Sequence, residues 1–168
     1  MTTKKSPESV PPTTPINPPA PAPGGNASRR SQVVFAALSQ VGNGDPKRYW
    51  DDVLPGVNVG KADWCGAFAL WALHQAGLAL DRKWVIGRGF ILVGPHPLPQ
   101  TTNPQPGDIA YFDKNQHEAV IEFVSEGAVQ LINGNGAGGK VSVSTVPKSS
   151  VTAFFSIKPL LEQVGANA

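Results

Sequence analysis

The stretch Ala62-Asp63-Trp64-Cys65-Gly66-Ala67-Phe68-Ala69-Leu70-Trp71-Ala72-Leu73-His74-Gln75-Ala76-Gly77 decides the reading of this chain. Apolar residues recur through it at helical spacing, so it predicts a helix from Cys65 to Ala76. Gly77 ends that helix, because glycine alone enters the left-handed cap without penalty. Asp63 or Trp64 takes the cap at the front, which sets Cys65, the single cysteine of the chain, at the helix start.

On the N-terminal side, Val33, Val34, Ala37, Leu38 and Val41 repeat at helical spacing and predict a helix from Ser31 to Val41, stopped by Gly42-Asn43-Gly44. Pro46 suits the first turn of a short helix to Val53, and Leu54 to Lys61 reads as loop. On the C-terminal side, Leu80 to Gln105 is irregular and rich in Pro and Gly, a length that points to a functional or mobile loop. Short β runs follow: Asp108–Phe112, His117–Val124, Ala128–Asn133, Val141–Val146 and Val151–Ile157. Helices first and strands after predict an α+β fold, with helices packed on an antiparallel sheet of five to six strands.

The 168 residues allow one domain rather than two. Eight of the 17 prolines fall before residue 25, and residues 1–28 hold no aromatic side chain. Such a segment buries too little to offset its ordering entropy, so it is expected as a Pro-rich tether. The folded domain is expected at 29–162 and a flexible tail at 163–168. Net charge is +2 and the basic residues are scattered, which argues against a nucleic-acid partner. The longest apolar stretch, Ala67 to Leu80, is broken by His74, Gln75 and Gly77 and is too short to span a bilayer. Lys4 and Lys5 are not followed by an apolar core, so no Sec-type signal peptide is expected. One cysteine permits no internal disulfide, and no metal-ligand spacing appears; neither a metal nor a cofactor is expected.

Unpaired N–H groups and the dipole at a helix start favour an anion. For Cys65 that anion is the thiolate, so the expectation is a lowered thiol pKa and raised reactivity. The N–H groups of Cys65 and Gly66 would then form an oxyanion hole. A buried, inert cysteine is the alternative reading. A cysteine nucleophile needs a base. His74 lies nine residues along the same helix, about 900° or half a turn away, and points from the wrong face. His96 stands between prolines in the long loop and suits a cleft wall. His117 opens a β run, where a rigid strand can aim it.

A third group orients the imidazole. Ser125-Glu126-Gly127 reads as a three-residue hairpin loop with Gly last, which pairs Val124 with Ala128. In that register His117 lies opposite Asn135, with Asn133 two residues away on the same face. Either asparagine could accept the imidazole N–H; both could equally be turn formers in Asn133-Gly134-Asn135-Gly136.

Together these residues resemble the NlpC/P60–CHAP superfamily of papain-like peptidoglycan hydrolases. The similarity is to the small bacterial and phage branch with a Trp-Cys-Ala-Ala-Phe signature and a later Pro-Gly-Asp. It covers about residues 31 to 160. Here the motifs stand as Trp64-Cys65-Gly66-Ala67-Phe68, Pro106-Gly107-Asp108, His117-Glu118-Ala119 and Asn133-Gly134-Asn135-Gly136. The resemblance implies Cys65 as nucleophile at the start of the central helix and His117 as base, with Asn133 or Asn135 as third member. Two departures stand out: relatives have His-Val-Gly where this chain has His117-Glu118-Ala119, and often an acid as third member.

The implied activity is cleavage of a peptidoglycan amide bond through a thioester, as an endopeptidase or N-acetylmuramoyl-L-alanine amidase. Asp63, Trp64, Trp84 and His96 are the substrate-binding candidates. Made in the cytoplasm without a Sec signal, such an enzyme would reach the periplasm or wall as a phage lysin or an injected antibacterial effector. The latter implies an immunity protein and secretion machinery as partners, and a monomer is expected. The alternatives are a non-catalytic wall-binding module of the same fold and a cysteine acyltransferase or protease. Gly134 to Lys140 nearly spells a phosphate-binding loop, but Val141 stands where Ser or Thr is needed and β residues follow.

Overall fold

The computed structural model describes residues 25–56, 58–59, 62–79 and 98–166. Three helices come first: α1 (Gly25–Leu38), α2 (Lys47–Val53) and α3 (Cys65–Gln75). Five strands follow: β1 (Ile109–Phe112), β2 (His117–Val124), β3 (Ala128–Asn133), β4 (Ser142–Pro147) and β5 (Ala153–Phe155). Helix α4 (Lys158–Ala166) comes last. The strands form one antiparallel sheet in the order β4-β3-β2-β1-β5. The α+β architecture expected from the alternation of patterns is therefore the one observed.

Period-two alternation divides the sheet between two cores. Ile109, Val120, Ile132 and Phe155 join Phe68, Leu70 and Leu73 of α3 and residues of α1 and α2 in the main core. Ala110, Ala119, Ile121, Val129 and Leu131 form a second cluster, joined by Phe112, Val146 and Phe154. Each fully buried Leu, Ile or Phe contributes roughly 1.5–3 kcal/mol through burial. Helix α3 is buried along most of its length, which is why its sequence is apolar nearly all round.

Several boundaries differ from the sequence expectation. Helix α1 begins at Gly25 rather than Ser31, so residues 25–28 belong to a helix and not to the tether; residues 1–24 lie outside the described residues. Polar anchors that apolar periodicity does not register hold its front half: Arg29 Nη1 donates to Ala76 O at 2.9 Å, and Arg30 Nη1 to Pro106 O at 3.0 Å. The helix ends at Leu38, where Gln40 and Val41 turn to carbonyls three residues back. The tail expected at 163–168 is helical to Ala166, because Leu160, Leu161 and Val164 of α4 pack into the main core.

Asp108 ties the ends of the chain to the middle. Its Oδ1 accepts from Arg30 Nη1 at 2.7 Å and from Ile157 N at 3.0 Å, and its Oδ2 from Gln105 N at 2.9 Å. The Pro106-Gly107-Asp108 motif is thus a structural knot. Gly107 has φ +86, and a Cβ there would sit 3.3 Å from Arg30 O, so the tight turn requires glycine. Both sheet edges are covered at one point: Gly42 and Asn43 bond Val141 beside β4, and Thr101 N and Ser156 N close residues 99–101 against β5.

Candidate active site

Cys65 opens α3 with Trp64 at the cap, as the sequence implied, and no side chain caps the helix. The front of α3 is seated by aromatic packing. Tyr49 of α2 stacks on Trp64 at 5.4 Å and meets Phe68 and Trp71 edge-on, each at 5.2 Å. Trp64 is therefore buried in this cluster, which corrects its expected place as a substrate-binding residue: the indole packs the core. Trp84 and His96 lie outside the described residues.

Cys65 is only 3% exposed. Its thiol donates to Gln116 O at 3.9 Å, and the Gly66 and Glu118 backbone N–H groups point toward the sulfur. Gln116 reaches this position through a left-handed conformation, φ 50, just before β2. The sulfur thus lies against the backbone on both sides of His117. Burial pushes the thiol up to about 11, aided by the nearby carboxyls of Glu118 and Asp63 and opposed by the two N–H groups. The lowered thiol pKa expected from the helix start is overturned. The dipole contributes, but desolvation of a buried thiolate outweighs it.

His117 stands at the start of β2, with its Nε2 2.9 Å from Asn133 Oδ1. Asn133 ends β3 and is buried. Its Nδ2 faces three acceptors: Ser144 Oγ at 3.0 Å, and Leu131 O and Ser142 O at 3.3 Å each. Carbonyls accept only, so the amide nitrogen must face them and the amide oxygen must face His117. His117 then carries its proton on Nε2 and leaves Nδ1 as the free base. Burial lowers its pKa; the bond to Asn133 and the charge of Asp63 pull the other way.

The hairpin that delivers Asn133 differs from expectation at its tip. Val124 pairs with Val129 rather than Ala128, one residue out of register. A bulge between Ile121 and Phe123 absorbs the extra residue, and Ile121 then pairs with Leu131, the expected partner. The two departures cancel at the site end.

Asn135 does not reach the imidazole. It has φ 53, and its Nδ2 donates to Asp63 Oδ1 at 3.0 Å, which ties this loop to the residue two before Cys65. That corrects its candidacy as a catalytic member and gives the exposed Asp63 a positioning contact. Between the two asparagines, Gly134 lies so close to α3 that a Cβ would fall 2.4 Å from Phe68 Cβ. His74, rejected on helical geometry, bonds Asp52 Oδ2 through Nδ1 at 2.6 Å, tying α3 to α2.

Sequence reasoning missed Gln116 and Ser144. Left-handed Gln carries no sequence signal, and Ser144 comes from a strand whose register the hairpin arithmetic did not reach. Among the described residues, no cluster of three metal-ligating side chains occurs and no helix is long and apolar enough to cross a membrane.

Residues 57–135 match the CHAP domain family. No curated protein matches the chain by sequence. The solved structure of the peptidoglycan hydrolase RipB from Mycobacterium tuberculosis is similar, with a TM-score of 0.47 and 20% identity over 78% of this chain. The match spans 65% of RipB's chain, just under two thirds of its length. The CHAP match contains Cys65, His117 and Asn133, so the segment similar to that family is the one that carries the candidate site.

Proposed function

We propose that this protein is a cysteine hydrolase that cleaves an amide bond of peptidoglycan. The observation that carries the reading is the sulfur of Cys65 lodged against the backbone that bears His117, whose imidazole is already oriented by Asn133. The CHAP family match over the same residues supports peptidoglycan as the substrate.

In this reading both partners rest uncharged, because burial raises the thiol and lowers the imidazole. His117 Nδ1 takes the Cys65 proton as the sulfur attacks the carbonyl carbon. Proton transfer of this kind contributes about 10²–10⁴-fold. The Cys65 and Gly66 N–H groups hold the oxyanion. The C–N bond then breaks, the imidazolium protonates the leaving amine, and a thioester remains. Water, deprotonated by Nδ1, attacks the thioester; its collapse releases a carboxylic acid and returns the proton to sulfur. The imidazole must be neutral to start, so activity falls on acidification as His117 gains a proton below its ordinary 6.5.

Purified wild-type protein and Cys65→Ala, matched for folding by circular dichroism, test the reading on isolated sacculi. The wild type is expected to release fragments and the variant none above background. Equal release by both, or by neither, sinks the proposal. Mass analysis then names the bond: a freed lactyl carboxyl marks an amidase, and freed peptide amines mark an endopeptidase.

A further inference from the structure

The nitrogen side of the Asn133 amide is enclosed by acceptors from two strands. Leu131 O lies on β3 itself; Ser142 O and Ser144 Oγ lie on β4, and the Ser144 contact is the shortest of the three at 3.0 Å. Asn133 pairs across to Ser142, so Ser144 reaches the amide diagonally from one face of the edge strand. An amide flipped in this enclosure would set its oxygen against two carbonyl oxygens, and a carboxylate would meet the same repulsion. The enclosure therefore suits an amide and rejects the acid that relatives often carry.

We infer that Ser144 is a positioning residue for the hydrolysis proposed above: it holds the Asn133 amide, which fixes the His117 proton on Nε2 and keeps Nδ1 free for Cys65. The inference rests on that reading for its effect on rate, but not for its effect on the imidazole. Ser144 is exposed and lies on an edge strand, so its removal leaves the core intact. The two backbone carbonyls remain in the variant, so the amide is loosened rather than released.

Nitrogen-15 spectra of the full chain labelled at histidine, with signals assigned through His74→Gln and His96→Gln, report the tautomer directly. Wild type is expected to show His117 protonated on Nε2. Ser144→Ala is expected to show a mixture with the Nδ1–H form, and a kcat on sacculi lower by about three- to tenfold with KM unchanged. Ser144→Thr, which keeps the hydroxyl, is expected to restore both. Asn133→Asp is expected to be less active than wild type, as the enclosure rejects a carboxylate. A Ser144→Ala protein with an unaltered tautomer and wild-type kcat overturns the inference. So does a Thr variant as impaired as the Ala variant. If wild type releases nothing from sacculi, the hydrolase reading falls alone, and the spectra still decide whether Ser144 sets the tautomer.

Discussion

The two halves of the candidate site are built on opposite physical terms. The sheet half is polar and tied down: His117 is held by Asn133, and Asn133 by Ser144 and two carbonyls. The helix half is a thiol buried beside an aromatic cluster, which donates a long hydrogen bond to Gln116 O and is faced by the Gly66 and Glu118 N–H groups. The imidazole is oriented by hydrogen bonds within the fold, while burial raises the pKa of the thiol. The difference teaches that hydrogen bonding governs the sheet half and desolvation the helix half, where burial outweighs the pull of the helix start on the thiol.

The largest expected effect breaks or confirms that contrast at the sulfur. A thiol at about 11 rather than the ordinary 9.0 carries about a hundredfold less thiolate near neutral pH. Alkylation of Cys65 by iodoacetamide should therefore be slow at pH 7 and still climbing above pH 9. A rate that levels off between pH 6 and 7 would reveal a thiolate–imidazolium pair instead. Next in size, Gly134→Ala should disturb both halves at once. The added methyl meets Phe68 of α3 on one side and shifts the end of β3, next to Asn133, on the other. Overpacking of this kind costs about 1–3 kcal/mol, read as a lower denaturation midpoint, and sacculus hydrolysis should fall with it. Unchanged stability would mean that the loop and helix are not in register as described.

The smallest effect sharpens the electrostatics behind the thiol. Burial holds the Glu118 carboxyl well above the usual carboxylate range, so the folded protein binds this proton more tightly than the unfolded chain. Its contribution to stability is full below pH 4.5 and is lost as pH rises toward the raised value. Glu118→Gln should therefore stabilise the protein at neutral pH, with the gain vanishing toward pH 4. Urea melts at pH 4 and 7 test this; equal differences at both would refute it.

Much of the site was legible because its signals are local. The start of α3 follows from the cap and the apolar run after it, and β2 and β3 end where the alternation ends. Asn133 was reachable only as one of two candidates. Choosing between them needed the left-handed turn at Asn135, which carries it away to Asp63. The thiol's protonation went the other way from expectation because the helix start is a property of sequence neighbours, whereas desolvation comes from everything packed around them. Ser144 and α4 were illegible for the same reason. One acts across a strand pairing, and the other is fixed by Leu160 and Leu161 meeting a core assembled elsewhere.

The Asp108 knot bears on how the molecule is made. A single carboxylate near the middle of the chain holds Arg30, from the first described helix, and the backbone of Ile157, just before the last. During synthesis α1 therefore waits for its buried partner through nearly eighty residues of translation, and the carboxylate waits for nearly fifty more. Closure of the domain falls after residue 157 has left the ribosome, so a nascent chain carries its cysteine long before it carries a finished site.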